Sequence, residues 1–293
     1  MNESLLRELV PAVIGVLVRR GADFASAEDA VQEALIRALE IWPDDPPRDP
    51  MAGLPLDRPG DPATVLRVLY LVFNEGYSGD IDLAAEAIRL TRRLAAATDE
   101  PEVAGLLALM LLHHARRATR TGPGGRLVPL AQQDRTRWDT TLITEGVAIL
   151  QAALARDRLG EYQAQAAIAA VHADAPTAAE TDWVQIVEWY DELLNLTGSP
   201  VVQLNRAVAV GEADGPQAGL AELSKVDPGL PRYDAVHAYL LERAGDLEQA
   251  ADLYAAASAT ATSVPERDHL SREAARVRSL LRRRPDRPAT STE

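Results

Sequence analysis

Apolar residues recur along this chain at helical spacing almost from end to end. Residues 4–20 carry Leu5, Leu6, Leu9, Val13, Val16 and Leu17 on one stripe, and Gly21 stops the segment. Ser26 is placed as an N-cap, with Asp29 three residues later. The helix that follows, 26–41, has Ala27, Ala30, Val31, Ala34, Leu35, Ala38 and Leu39 at i, i+3, i+4, i+7 spacing. Trp42 and Pro43 close it. Between 43 and 62 the periodicity vanishes. Proline stands at 43, 46, 47, 50, 55, 59 and 62, a density that no helix or inner strand tolerates, so the stretch reads as an extended linker.

From 63 onward the pattern predicts helices over 63–76, 82–97, 101–119, 136–157, 160–173, 180–196, 200–212, 216–225, 231–244, 247–260 and 265–284. Glycine and proline mark the breaks, among them Gly76, Gly79, Pro101, the Gly122–Gly125 loop, Gly160, Pro176, Gly198, Gly215, Gly245 and Pro265. Short helices joined by tight turns suggest stacked antiparallel pairs. In the last third, a unit beginning at Pro200 and turning at Gly215 is followed by one beginning at Tyr233 and turning at Gly245. The offset of roughly 32 residues is near the tetratricopeptide (TPR) period. The expected fold is all-α: an N-terminal helical fragment (1–42), the linker (43–62), a right-handed TPR-like helix-pair solenoid (63–284) and a tail (285–293).

Composition supports helices and narrows the chemistry. The chain of 293 residues is 47% hydrophobic and only 4% aromatic, and Ala and Leu, both strong helix formers, predominate. Without cysteine there is no disulfide framework, thiolate metal site or cysteine nucleophile. No apolar run reaches the ~20 residues of a membrane span, and Arg7, Glu8 and Pro11 break any resemblance of the start to a signal peptide, so a cytoplasmic protein away from membranes is expected. The net charge of -14 repels phosphate. The basic run Arg276, Arg278, Arg282, Arg283, Arg284 and Arg287 reads as a helix C-terminus followed by a solvated tail.

Candidate chemistry is sparse. There is no glycine-rich phosphate loop, GxSxG or HExxH. His113 and His114 are adjacent on a Leu-rich helix and point about 100° apart, which disfavours a shared metal. Asn74-Glu75-Gly76-Tyr77 reads either as a helix stop or as a polar cluster on an inner groove. Asp134 or Thr136 can cap the next helix, with Trp138 seating it on a neighbour, and Thr181-Asp182-Trp183 repeats that arrangement. The groove candidates are therefore Asn74, Glu75, Tyr77, His114, Asp134 and Arg135. No nucleophile, base and orienter stand together, so neither an enzyme nor a cofactor nor a metal is expected.

Several stretches carry a resemblance. Ala27-Glu28-Asp29-Ala30-Val31-Gln32-Glu33-Ala34-Leu35-Ile36-Arg37-Ala38-Leu39 resembles the region 2 helix of sigma-70-type transcription initiation factors. Val65–Ser78, Leu106–Arg117, Gln133–Asp139, Tyr162–Asp174 and Asp182–Tyr190 resemble the long TPR-like C-terminal extension of one group of extracytoplasmic-function (ECF) sigma factors. The resemblance implies transcription initiation, with the first helix docking on the β′ subunit of RNA polymerase core and the repeat domain binding a protein or peptide. Asp29, Gln32, Glu33 and Arg37 form one polar face of that helix and are the polymerase-contact candidates. The family pattern places −10-melting segments and a −35-reading helix-turn-helix before the extension. The linker 43–62 is too short to encode them. With 6 Arg against 11 Asp plus Glu, residues 1–60 independently argue against contact with promoter DNA. The alternative is a free-standing TPR-like adaptor with 1–42 as helical packing.

Overall fold

The computed structural model describes residues 62–75 and 83–283. The segment 1–42, with Asp29, Gln32, Glu33 and Arg37, lies outside the described residues, as do Tyr77, most of the linker and the tail. The described chain is all-α, and its one β feature is an isolated bridge between Thr121 and Leu127.

The described residues fall into two compact units divided between Asp99 and Glu100. In the first, α1 (Pro62–Glu75) starts on a proline, whose fixed φ suits the first helical turn. It buries Leu66, Leu69 and Phe73 and packs on α2 (Leu83–Ala97), which buries Ala84, Ala87, Ile88 and Thr91. The Thr91 hydroxyl is satisfied inside its own helix by donating to the Ala87 carbonyl at 2.8 Å.

The second unit is built outward from α3 (Pro101–His114), in which every residue from Leu106 to Leu112 is buried. A helix apolar on all sides must be covered on several, and α5 (Thr140–Leu154) and α6 (Glu161–Asp174) both pack against it. The one-turn helix α4 (Arg117–Arg120) and three short 3-10 turns fill the connection to α5. After α6 each helix packs on its successor: α7 (Trp183–Thr197), α8 (Pro200–Ala213), α9 (Pro216–Leu223), α10 (Tyr233–Ala244), α11 (Leu247–Thr260) and α12 (Val264–Arg283). Gly198 and Gly245 end α7 and α10 with φ of 59° and 88°, a conformation that costs glycine little.

Small residues set the closest crossings. A Cβ on Gly219 of α9 would lie 2.7 Å from the Gly211 Cα of α8. A Cβ on Gly105 of α3 would lie 2.8 Å from the Gln163 backbone nitrogen of α6. Farther along, Ala238, Ala250, Ala251, Ala257 and Ala274 line the core shared by α10, α11 and α12.

Two expected helices are shorter than their patterns by five residues or more. The segment expected over 101–119 breaks after His114, and the one expected from 136 begins at Thr140. A single contact couples both changes: the Asp139 N–H donates to the Ala115 carbonyl at 3.0 Å, tying the end of α3 to the start of α5.

Candidate functional site

A half-open groove of about 420 Å³ lies among α3, α6, α7 and the first turns of α8. Its direction follows from local contacts. The Glu102 carboxylate, in the first turn of α3, accepts the N–H of Tyr162 at 2.6 Å and of Gln163 at 3.4 Å. Glu102 thus caps α6 from another helix, replacing the side-chain cap that Gly160 lacks. Burial pushes the Glu102 pKa up, and those hydrogen bonds oppose the shift. With their N-terminal ends joined there, and His113 and His172 both lining the groove near their C-terminal ends, α3 and α6 run in the same direction.

Along α6 the wall is Glu161, Gln165, Ile168, Ala169 and His172, one helical stripe. Glu161 is exposed and accepts from Gln165 Nε2 at 3.0 Å. His172 stands three turns on, roughly 16 Å along the axis at 1.5 Å per residue. There it meets His113 and Arg116, while Tyr190, Leu193, Val202 and Asn205 supply the facing wall. The floor is apolar, from Leu109 and Ile168 to Leu193.

The Arg116 end is rigidly built. Trp138 is 5% exposed, and its indole N–H donates to Thr119 Oγ1 at 3.0 Å. The Arg135 guanidinium lies 4.9 Å from the Trp138 ring centroid and that of Arg116 5.9 Å. Arg135 also donates to the carbonyl of His172, to that of Ala175 at 2.6 Å, and to Thr181 Oγ1 at 3.3 Å. It therefore closes the C-terminal end of α6, where carbonyls otherwise lack partners. The His172 ring packs edge-on against Trp183, with centroids 5.2 Å apart, and its Nδ1 is buried without a hydrogen-bond partner.

These surroundings keep both imidazoles neutral. Burial first, then the charges of Arg116 and Arg120, pushes His113 down to about 3. Burial, Arg116 and Arg135 push His172 down to about 4. Burial pushes the Tyr190 hydroxyl up to about 12, so it remains a donor.

The residues expected to form a groove are placed differently. Asn74 is exposed in the last turn of α1 and belongs to the other unit, and Glu75 is the last residue of that helix. His114 is partly buried, but His113 is the one that lines the groove. Asp134 does not cap α5. Its carboxylate accepts the Thr136 N–H at 3.1 Å and hydroxyl at 2.6 Å, starting the 3-10 turn Arg135–Arg137, and the Thr136 bonds lower its pKa. Asp139 caps α5 instead, accepting from Thr141 and Leu142. Asp182 caps α7 through the Gln185 N–H at 3.0 Å. Sequence reasoning missed Arg116, His172, Tyr190 and Asn205. The available signal was the spacing of Glu161, Gln165, Ile168 and His172 on one stripe. No group of three or more His, Asp or Glu side chains suited to a metal ion occurs among the described residues. No described helix is long and apolar enough to cross a membrane.

Fold and site define an all-α protein with a polar-ended groove. Its relatives give the family. The chain is 39% identical over 290 aligned residues to an uncharacterized protein of Rhizobium meliloti (strain 1021), covering 90% of this chain and 67% of that relative, and it belongs to the same family. A family model described as a family of unknown function (DUF6596) matches residues 62–154, from α1 to the end of α5. No solved structure matches the chain.

Proposed function

We propose that this protein is a sigma-factor-like component of transcription initiation. In this reading the 26–41 helix docks on the β′ subunit of RNA polymerase core, and the helices after residue 62 form a TPR-like regulatory domain that binds a protein or peptide. The observation that carries it is the ordered set of stretches resembling ECF sigma factors, from Ala27–Leu39 to Asp182–Tyr190. Two findings leave room for it. The matched family model covers Val65–Ser78, Leu106–Arg117 and Gln133–Asp139 together as one inherited unit. The Rhizobium relative has about a third of its length outside the alignment, room for segments that the linker 43–62 is too short to encode. Promoter reading is not assigned to this chain, because the acidic balance of residues 1–60 opposes it.

A second reading, a free-standing adaptor, draws on the groove between α3, α6 and α7. One experiment separates the two. Full-length protein is mixed with purified core polymerase and recovered by affinity pull-down, beside a variant carrying Gln32→Ala, Glu33→Ala and Arg37→Ala. Retention of wild type and loss of the variant is the expected result. Failure to retain wild type, or equal retention of both, overturns polymerase docking and leaves the adaptor reading.

A further inference from the structure

A second cleft, of about 460 Å³, runs along another face of α6, between α5 and α7. Val147 and Leu154 of α5, Val171 of α6 and Trp189 of α7 are half-buried in its walls, and the buried Leu150 lines it between them. The Trp189 indole N–H meets no protein acceptor among the described residues. One end is acidic. Asp174 is the last residue of α6, Glu180 lies in the 3-10 turn that follows, and Asp182 caps α7. Glu180 accepts the Thr177 hydroxyl at 2.7 Å and Asp182 the Gln185 N–H at 3.0 Å, both neutral donors. The Asp174 carboxylate is exposed, with neither a hydrogen bond nor an ion pair among the described residues. No Arg, Lys or His lines the cleft. Arg135 is turned instead to the carbonyls of His172 and Ala175 and to Thr181 Oγ1. Burial lowers its pKa, with no carboxylate beside it to oppose the shift.

We infer that this cleft binds a short apolar–basic protein segment, with leucine-like side chains against Leu150, Val171 and Trp189 and arginine at Asp174, Glu180 and Asp182. Charge selects the occupant. An acidic or phosphorylated segment is repelled, and a purely apolar one would strip water from three carboxylates without pairing them. Arginine offers planar donors that match a carboxylate. The free indole N–H can donate to a carbonyl of the bound chain. Spacing sets the segment. Trp189 stands two turns beyond Asp182 on α7, roughly 10 Å along the axis, which an extended chain covers in about three residues. The larger hollow of about 620 Å³ beside α10 and α11 has no such bias, since Arg232 there is paired with Glu266 at 2.7 Å. The cleft deepens the reading of these helices as a peptide-binding domain and rests on it, but not on polymerase docking, so the pull-down can fail without touching it.

The test uses full-length protein and isothermal titration calorimetry. The probe is an N-acetylated, amidated hexapeptide with the order leucine, leucine, alanine, arginine, arginine, alanine, and a second probe reverses the order to cover both directions along the cleft. One control replaces both arginines with citrulline, which keeps the shape and removes the charge. Another replaces both leucines with serine. Saturable one-to-one binding of at least one probe is expected, with each of its controls bound at least about tenfold more weakly. Asp174→Asn combined with Glu180→Gln, both exposed positions, should weaken the probe at least tenfold and abolish its advantage over the citrulline control. Trp189→Phe, which keeps a ring and removes the N–H, should weaken it severalfold with the thermal midpoint retained. If the double variant does not fold, the controls on wild type and Trp189→Phe decide. No binding of either probe, equal binding of a probe and a control, or wild-type affinity in the folded variants overturns the inference.

Discussion

The helices around the groove and the helices beyond it solve the same packing problem with different chemistry. From α3 to α7 the chain is fastened by buried or half-buried side chains bonded to backbone groups of other elements. Glu102 caps α6, Arg135 closes its far end, and Gln163, fully buried, donates to the Arg158 carbonyl at 2.8 Å. From α8 to α12 the fastening is alanine packing inside and ion pairs at the rim. Arg206 joins Asp191 and Glu222 at 2.5 and 2.9 Å, and Arg276 joins Glu242 and Glu273 at 2.7 and 2.6 Å. Bonds to backbone fix where one helix ends against another, and leaving such a group unpaired costs its desolvation. Rim ion pairs are screened and contribute little each. The first region is therefore specified point by point, and the second by surface fit.

Adding one methyl group at each region's tightest crossing sharpens the contrast most. Gly105→Ala sets a Cβ against the Gln163 backbone, in a helix buried over Leu106–Leu112 and flanked by α5 and α6. With no room to slide, the cost is about 3 kcal/mol even after the gain in helix propensity of about 1 kcal/mol that Ala brings in a helix. Gly219→Ala meets the Gly211 Cα and the Ala207 carbonyl, but α9 is only eight residues long and can shift as a unit. Its cost is about 1–2 kcal/mol, after a gain in helix propensity of about 1 kcal/mol. Urea denaturation of the two variants and wild type checks both values, and a larger loss at Gly219 reverses the assignment of rigidity.

Acid separates the regions next. His113 and His172 are held neutral in the fold, at about 3 and about 4, against an ordinary 6.5. A histidine whose folded pKa is depressed contributes stability above its unfolded value and loses it as pH falls toward the folded one. Stability should thus decline from pH 6.5 toward 4, as protons bind the unfolded chain first. In His172→Phe part of that slope disappears. Thermal midpoints at pH 7, 6, 5 and 4 measure the difference, and parallel curves for variant and wild type refute the role given to His172.

Much of this fold was legible in the sequence, because amphipathic periodicity and Gly or Pro breaks are local signals. The helix expected over 247–260 is Leu247–Thr260, and that expected over 200–212 is Pro200–Ala213. The failures have a common cause in distance. Nothing near Ala115 stops a helix: no Gly or Pro follows until Gly122. The break coincides with a hydrogen bond from Asp139, 24 positions on. Asp134 and Asp139 are equally good caps by type, and only the contacts of Arg135 with residues near 172–181 separate their roles. The groove was harder still. Its basic end joins α3 to His172, 59 residues beyond His113, and His114 attracted attention because a His pair is conspicuous in sequence while helix rotation decides which member faces the cavity.

The smallest expected effect lies in the ion pairs of the C-terminal region. Arg276 is 44% exposed on its side chain and bridges Glu242 of α10 to Glu273 of its own helix. Solvent screening limits the bridge, so Arg276→Ala should cost about 0.5 kcal/mol, some of it from lost packing of the arginine stem. Salt distinguishes the two contributions. Raising NaCl from 0.05 to ~1 M shortens the screening length to about 3 Å, which should remove the electrostatic part from wild type and leave the variant nearly unchanged. The two unfolding midpoints should then converge. If they stay apart, the stem's contacts hold α12 in place and the charge does not, and the C-terminal region is governed by surface fit even at its rim.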